Sequence, residues 1–191
     1  HHCVLSLSRS PKILSQWRAY ADDATGLALG FSEKFLNFAK IQLIPCQYES
    51  HETYALSLVQ KHIRLVESTH QARQRYVGEN EFMGWIHEQR HNFYSLVEDL
   101  IALKNPAFFE EQEVRAIRCV EHKEVLTRVS GQLIVPYVEA NFWRDDEALS
   151  YMAVVIPEIW LGPKCSELNM TGVRAINLGM CSIKRYDCGY F

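Results

Sequence analysis

The sequence predicts an α+β domain with a mixed or mainly antiparallel sheet. Strand-like apolar patterns occur near the N-terminus and again from Val114 onward, whereas the stretch between them carries two long amphipathic helical patterns. The chain has 191 residues, of which 48% are apolar and 23% are charged, so it can bury a core of ordinary size. We therefore expect residues 1–191 to form a single domain, with a tryptophan-containing helix near the N-terminus and the two long helices inserted before the C-terminal strands.

Residues 4–8 predict the first strand. Apolar side chains alternate here with hydroxyl side chains, as expected for a strand that turns one face toward a core. The alternation places Ser6 and Ser8 together on the other face.

The next segment predicts a helix and a second strand. Ser10 followed by Pro11 is typical of a helix N-cap and first turn, so we expect a helix over residues 11–21 with Trp17 on its apolar side. Residues 27–31 form a short apolar run between glycines and predict a strand.

Two helical patterns fill the middle of the chain. Residues 54–73 repeat apolar positions every three or four residues, and residues 81–103 do so again after a Gly-Glu-Asn segment. The first apolar stripe consists of Leu56, Val59, Ile63 and Val66. The second consists of Phe82, Ile86, Phe93, Val97 and Leu100. These stripes define the apolar faces of two amphipathic helices.

The C-terminal half predicts a series of strands. Apolar and β-branched runs are separated here by short turn-like segments, and the longest run is interrupted at Pro157. The predicted strands are residues 114–120, 126–129, 132–137 and 151–161.

Composition excludes several classes of protein. The net charge of −3 lacks the basic excess of a dedicated nucleic-acid binder, so nucleic acid is not indicated as a partner. We expect no membrane association and a cytoplasmic location, because no apolar run approaches a membrane span and the six cysteines form no Cys-x-x-Cys pair. Neither a Gly-rich phosphate loop nor a serine nucleophile elbow is present, which argues against kinase, Rossmann and serine-hydrolase chemistry.

The segment His87-Glu88-Gln-Arg-His91 matches the pattern of zinc proteases, in which two histidines one helical turn apart bind the metal. At about 100° per residue, however, both histidines fall opposite the apolar stripe of their predicted helix. We therefore expect a solvated helix face and no metal, with a zinc-dependent hydrolase using His87 and His91 as the third hypothesis. Cys119, His122 and the two C-terminal cysteines match no established zinc spacing.

The pair Glu111 and Glu113 is a better candidate for chemistry. It stands where a helical pattern gives way to a strand, and a strand period of two would aim both carboxylates to one side. Two nearby carboxylates repel each other, so such a pair can supply a general base or stabilise a cationic centre. The alternative is a surface strand edge in which Arg115 is a simple charge partner.

Residues 6–31 resemble the opening of a bacterial family, domain of unknown function 2971. In that family a Ser-rich strand leads to a Trp-Arg-x-Tyr helix and a Gly-x-x-x-Gly-Phe strand. Later segments match in the same order, namely residues 111–115, 131–137, 159–163 and 182–186. The family carries a further portion before the Ser-rich strand, so we expect this chain to lack an N-terminal part of the family fold.

The combination of a Ser-rich strand and a late Glu-x-Glu is also similar, more remotely, to the ADP-ribosyltransferases, in which these motifs surround NAD. This resemblance implies NAD as the substrate, with Glu113 stabilising positive charge as the glycosidic bond breaks and Glu111 positioning or deprotonating the acceptor. Ser6 and Ser8 would order the pocket floor. The long separation of the two motifs requires the two long helices to be an insertion.

The same resemblance suggests further residues that bind the cofactor. Arg18, Arg115 or Arg128 would neutralise the pyrophosphate, and Tyr20 would stack on a ring of NAD. The roles of Arg18, Tyr20 and Tyr137 stay open, since Arg18 can either bind an anion or brace a carboxylate such as Glu111. For Trp17 a core position is favoured.

Two classes of function therefore stay open. The first is an NAD-using transferase or glycohydrolase, an effector in phage defence or a toxin system that modifies a small-molecule nucleotide or a protein acceptor. The second is a non-catalytic sensing or interaction domain of the same fold, whose polar clusters would be mutually satisfied and would border no open cleft.

Overall fold

The computed structural model describes residues 1–139, 154–177 and 181–190. It contains helices together with antiparallel and mixed sheets, which confirms the predicted α+β class. The strands among the described residues are β1 (His2–Ser8), β2 (Leu27–Gly30), β3 (Gln42–Pro45), β4 (Glu113–Cys119), β5 (Leu126–Ser130), β6 (Leu133–Tyr137), β7 (Glu158–Leu161) and β8 (Ser182–Arg185). The α-helices whose bounds lie within these residues are α1 (Leu14–Tyr20), α2 (Glu33–Phe38), α3 (His51–Arg75), α4 (Glu79–Glu88), α5 (Arg90–Ile101) and α6 (Glu167–Asn177).

The chain groups into two compact units. One comprises residues 1–43 and 110–191, and the other comprises residues 44–109, which hold the three helices α3, α4 and α5. In sequence, the helical unit is therefore an insertion between β1 and β4. None of the helices in the described ranges combines the length and the apolar character that crossing a bilayer requires.

The first unit contains two three-stranded sheets and a hairpin. The first sheet has the order β1-β4-β3, with β1 antiparallel to β4. The second has the order β2-β7-β8, in which β2 pairs antiparallel and β8 parallel to β7. The strands β5 and β6 form a separate antiparallel hairpin, and Gly131 in its turn adopts the left-handed φ of 60° that glycine tolerates best.

One face of the first sheet packs on α2. Ser32 caps this helix by accepting a hydrogen bond from the Phe35 amide, and Leu36 and Ile41 bury their side chains against Ala116 of β4. Neither α2 nor β3 was predicted, because each is too short to show a periodic pattern. The helix α6 was also missed.

The helix α1 begins later than predicted. Ser10 does not cap it, because its Oγ accepts a hydrogen bond from the Lys12 amide in the preceding turn, and α1 begins at Leu14 with no side-chain cap. The core position predicted for Trp17 is confirmed, since its side chain is buried and its Nε1 donates to the Pro11 carbonyl at 2.7 Å.

Three left-handed residues follow α1. Asp22, Asp23 and Ala24 have φ values of 47°, 49° and 71°, a conformation that costs energy for residues with a Cβ. The surrounding structure holds them there. Ala24 is fully buried, its amide donates to the Trp17 carbonyl at 3.0 Å, and its own carbonyl accepts from the Lys164 amide at 3.1 Å.

The helical unit corrects two predictions. The helix α3 spans the predicted residues 54–73, but its buried residues include Leu58, His62, Leu65 and Ala72, and the predicted apolar stripe is exposed. The predicted helix over residues 81–103 is interrupted at Gln89, which separates α4 from α5.

The C-terminal strand predictions are confirmed in part. The strands β4, β5 and β6 lie within one residue of their predicted bounds. Of the predicted strand 151–161, only the part after Pro157 is a strand, and residues 151–153 lie outside the described ranges.

Candidate functional site

The pairing of β1 with β4 brings the two sequence motifs together. Ser6 lies opposite Arg115 and Ser8 lies opposite Glu113 in the antiparallel register. Because side chains alternate along a strand, these four residues share one face of the sheet. The prediction that Ser6 and Ser8 share a strand face is therefore confirmed.

Glu113 is the centre of this arrangement, which we call the Glu113 cluster: Ser6, Glu113 and Arg115. The Ser6 hydroxyl donates to Glu113 Oε1 at 2.7 Å, and Arg115 Nε donates to the same oxygen at 2.8 Å. Glu113 is 6% exposed, whereas the Arg115 side chain is 22% exposed. A buried carboxylate is costly unless it is paired and hydrogen-bonded, and this one is held by both kinds of contact.

Ser8 has a different role from Ser6. Its Oγ lies 3.0 Å from the Glu111 carbonyl oxygen and 3.2 Å from the Ser10 carbonyl oxygen, so it binds the backbone at the end of β1. Ser8 thus ties this end of β1 to the segment before β4, while Ser6 contacts the carboxylate itself.

Glu111 does not share a strand with Glu113, contrary to the prediction. Glu111 ends a 3₁₀-helix, Gln112 is left-handed with a φ of 47°, and β4 begins only at Glu113. Strand alternation therefore does not extend to Glu111. The prediction that this alternation aims the Glu111 and Glu113 carboxylates to one side is wrong. The Glu111 carbonyl contacts Ser8, which lies opposite Glu113 in the strand register, so Glu111 remains next to the Glu113 cluster.

The candidate residues of α1 lie beside a second polar cluster. Arg18 Nε is 4.0 Å from Asp23 Oδ1, and the Arg18 guanidinium lies 5.8 Å from the centre of the Tyr190 ring. Tyr20 is strongly exposed. Arg18 is therefore placed to brace a carboxylate, as predicted for one of its two roles, and that carboxylate is Asp23.

Asp23 is a polar centre that the sequence did not reveal. Lys164 Nζ lies 2.9 Å from Asp23 Oδ2, and the Tyr190 hydroxyl donates to Asp23 Oδ1 at 2.8 Å. These hydrogen bonds, with that of Lys164 the stronger influence, hold the pKa of Asp23 below its usual value of 3.8. The same contact raises the pKa of Lys164. Lys164 and Tyr190 are so distant from Asp23 in sequence that no local sequence pattern could predict these contacts.

Arg128 and Tyr137 belong to the β5–β6 hairpin. Arg128 is exposed and pairs in register with Val135, whereas Tyr137 lies at the end of β6 and lines a cavity. The structure thus does not bring Arg128 into the Glu113 cluster through any contact that it describes.

The cavity has a volume of about 570 Å³ and a mostly apolar lining. Its lining includes Leu5 and Leu7 of β1 and Ala116 of β4, and these positions alternate with the Glu113 cluster along the strands. The cavity therefore borders mainly the sheet face opposite to that cluster, although His2 and Val4, which alternate in step with Ser6, also line it. Its volume lies in the range of small-molecule sites in proteins.

The two histidines of the zinc-like motif are on different helices. His87 belongs to α4 and His91 to α5, with the turn at Gln89 between them. Both side chains are exposed, as predicted. Within residues 1–139, 154–177 and 181–190, no three His, Cys, Asp or Glu side chains are grouped so that they could hold a metal ion.

Comparison with known proteins identifies a family. A family model described as "Protein of unknown function (DUF2971)" matches residues 16–116, which is more than half of the chain. This match begins in α1 and ends within β4, so it includes both Glu113 and Arg115. No curated protein matches the chain, and no solved structure does.

Proposed function

The chain belongs to the DUF2971 family, and we propose that it is an NAD-using protein of the ADP-ribosyltransferase type with Glu113 as its catalytic carboxylate. The setting proposed for this activity is that of an effector in phage defence or a toxin system. The single observation that supports the proposal most is the hydrogen bond from Ser6 to Glu113, because it joins the two motifs that the resemblance assigns to one NAD site.

The fold supports this proposal in a second way. Ser6 and Glu113 are 107 positions apart, a separation too long for the ADP-ribosyltransferase pattern unless an insertion intervenes. Residues 44–109 form a compact helical unit of their own and supply that insertion. Outside this unit, β1 with its two serines and β4 with Glu113 are direct neighbours in one sheet.

The proposed chemistry uses the position of a negative charge. As the bond between nicotinamide and the ribose carbon breaks, its electron pair leaves with nicotinamide and the ribose becomes cationic. Glu113, oriented by Ser6 and Arg115, would stabilise that cation. A nucleophile on a protein or nucleotide acceptor, or water, then forms the new bond and gives up its proton, for which Glu111 is the proposed base.

Arg115 acts in this proposal as a positioning residue. Its guanidinium is paired with Glu113. We therefore assign the contact with pyrophosphate to the other two basic candidates, Arg18 and Arg128. Tyr20 is the candidate stacking residue, because Tyr137 borders the cavity that lies mainly on the opposite face of the sheet from Glu113.

A second candidate function is a non-catalytic sensing domain that binds an apolar ligand. The observation that favours it is the cavity of about 570 Å³, because it lies on the opposite sheet face from a Glu113 that is both buried and paired. On this hypothesis the Glu113 cluster stabilises the sheet, and the cavity binds the ligand.

The experiment that tests the first proposal measures NAD consumption and nicotinamide release by the full-length protein, alone and with cell lysate. We expect Glu113→Gln to lower turnover by roughly a hundredfold or more, because it removes the charge but keeps the shape of the side chain. Glu110→Gln is the matched control, since Glu110 is an exposed carboxylate of the same segment. His87→Ala should also leave turnover unchanged.

The turnover assay also bears on the second candidate function, the sensing domain. Absence of turnover in every mixture would refute the enzyme proposal. The sensing hypothesis then requires binding of an apolar dye such as anilinonaphthalene sulfonate to be lost in Val125→Trp, which fills the cavity, and kept in Val129→Trp, which is exposed outside it.

A further inference from the structure

The helix α3 carries a second apolar face that the described residues leave uncovered. We call this face the α3 stripe, and it consists of Leu56, Val59, Ile63 and Val66. These side chains are 46 to 60% exposed. At about 100° per residue, the stripe lies roughly 120° around the helix from the buried face formed by Leu58 and Leu65.

The spacing within the α3 stripe is suited to packing against another helix. Its residues are separated by three, four and three positions, which is the spacing of the contact positions in a coiled coil. The stripe spans about 15 Å at 1.5 Å per residue. Contiguous exposed apolar residues of this kind mark interaction surfaces in proteins that otherwise bury such side chains.

The ends of the α3 stripe differ in charge. Glu52 lies four residues before Leu56 and extends the stripe toward the helix N-terminus, next to the exposed Glu49. His70 lies four residues after Val66 and extends it toward the C-terminus, where the last turn holds Arg73 and Arg75. The N-terminal end is therefore acidic, and the C-terminal end carries a net positive charge from Arg73 and Arg75 against the single carboxylate of Glu67.

This asymmetry decides between two arrangements of paired helices. If two copies of α3 pack antiparallel about the middle of the stripe, Leu56 faces Val66 and Val59 faces Ile63. Glu52 of each copy then faces His70 of the other, and the acidic ends lie against the basic ends. A parallel pair would instead place like charges opposite each other.

We propose that the α3 stripe is a self-association surface that pairs antiparallel with the α3 stripe of a second copy of this chain. Such an interface is isologous, so every contact occurs twice and the pair is closed. Four apolar residues per copy make a small interface, and we expect a concentration-dependent equilibrium between monomer and dimer. The proposal does not depend on any enzymatic activity.

The first test is the mass of the full chain, measured by analytical ultracentrifugation over a wide concentration range. The wild type should reach twice the chain mass at high concentration. Ile63→Glu should weaken dimerisation by roughly a hundredfold, because dimerisation would bury an unpaired carboxylate. Gln71→Glu is the matched control, since Gln71 is exposed on a face that points away from the stripe.

The second test establishes the antiparallel register. Glu52→Arg should weaken the dimer because it places a positive charge against the end of the other copy that holds Arg73. His70→Glu should weaken it because it places a second carboxylate opposite Glu52. The double variant should restore the dimer, since the introduced guanidinium then faces the introduced carboxylate of the other copy. Far-UV circular dichroism of each variant confirms that α3 still folds.

Four outcomes would overturn the proposal. The first is a wild type that stays monomeric at every concentration, and the second is a dimer that Ile63→Glu does not affect. The third is a double charge variant that fails to restore the dimer while both single variants weaken it. Concentration-independent protection of residues 56–66 from hydrogen exchange in a monomer would also contradict it, because another part of the chain would then cover the stripe.

Discussion

Ser6 donates a 2.7 Å hydrogen bond to Glu113 from a position 107 residues earlier in the chain. The antiparallel pairing of β1 with β4 creates this contact, and Arg115 binds the same carboxylate oxygen from a neighbouring position on the same face of the sheet. A buried acid is thus oriented by one neutral donor and one charged donor.

The Ser6 contact leads to a prediction about stability. We expect Ser6→Ala to lower the free energy of unfolding by about 1.5 kcal/mol, because the buried carboxylate of Glu113 loses a hydrogen-bond donor. Urea denaturation measures this change. Ser8→Ala is the matched control and should cost less, since the contacts described for the Ser8 hydroxyl are with neutral backbone groups and not with a buried carboxylate. Equal losses in the two variants would contradict a special role for Ser6.

The pairing of Arg115 with Glu113 leads to a second prediction. Arg115→Met should destabilise the protein by about 3 kcal/mol, because it removes the guanidinium that pairs with the buried Glu113 carboxylate. Adding Glu113→Gln should recover part of that loss, and a double-mutant cycle in urea measures the coupling. Arg118→Met, which breaks a more exposed ion pair with Glu124, should cost less than about 1 kcal/mol. A coupling near zero would mean that the two side chains do not stabilise each other.

A substitution at Gly162 tests the close packing of this residue against the left-handed segment after α1. A Cβ on Gly162 would lie 2.1 Å from the Ala24 carbonyl oxygen, so one of the two backbones must move. We expect Gly162→Ala to lower stability by about 3 kcal/mol or more. Gly172→Ala is the control, because a Cβ there meets nothing within 4 Å, and removing a glycine from α6 should stabilise the helix by about 0.5–1 kcal/mol. Thermal unfolding of both variants distinguishes these opposite effects.

The contact between His62 and Asp99 predicts a dependence of stability on pH. Partial burial raises the pKa of Asp99, but hydrogen bonds from His62 and Lys61, both at 2.7 Å, outweigh it and hold that pKa below 3.8. A carboxylate with a lowered pKa stabilises the folded state above its unfolded pKa, and this contribution is lost as the pH falls through the folded pKa.

We therefore expect Asp99→Asn to cost about 1 kcal/mol at neutral pH, and the difference from the wild type to shrink as the pH falls below about 3.8. Urea denaturation at neutral and at acidic pH measures both quantities. Asp187→Asn, at an exposed site, serves as the control. A difference that stays constant with pH would rule out the ionised carboxylate as its cause.

Much of the first unit could be predicted from the sequence because its strands alternate. Leucine and serine alternate over residues 5–8, and the structure keeps this alternation, so the shared face of Ser6 and Ser8 was predictable. The error at Glu111 arose from a single residue, since Gln112 adopts a left-handed backbone that no neighbouring glycine signals. The partners of Asp23 are distant in sequence, so no local pattern indicated them.

The helical unit shows why periodicity identifies a helix more reliably than its buried face. The helix α3 has two faces with helical spacing, and the buried one includes His62, which satisfies its polar ring through Asp99. The prediction that the more apolar face of α3 is its buried face was therefore wrong. The break at Gln89 has no proline or glycine to mark it, so α4 and α5 were predicted as one helix.

The most direct test of the central proposal is nicotinamide release from NAD by the full-length protein, compared between the wild type, Glu113→Gln and Glu110→Gln. We expect release by the wild type and by Glu110→Gln, and a loss of roughly a hundredfold or more in Glu113→Gln. Release that is equal in all three proteins, or absent from all three in the presence of lysate, would contradict a catalytic role for Glu113.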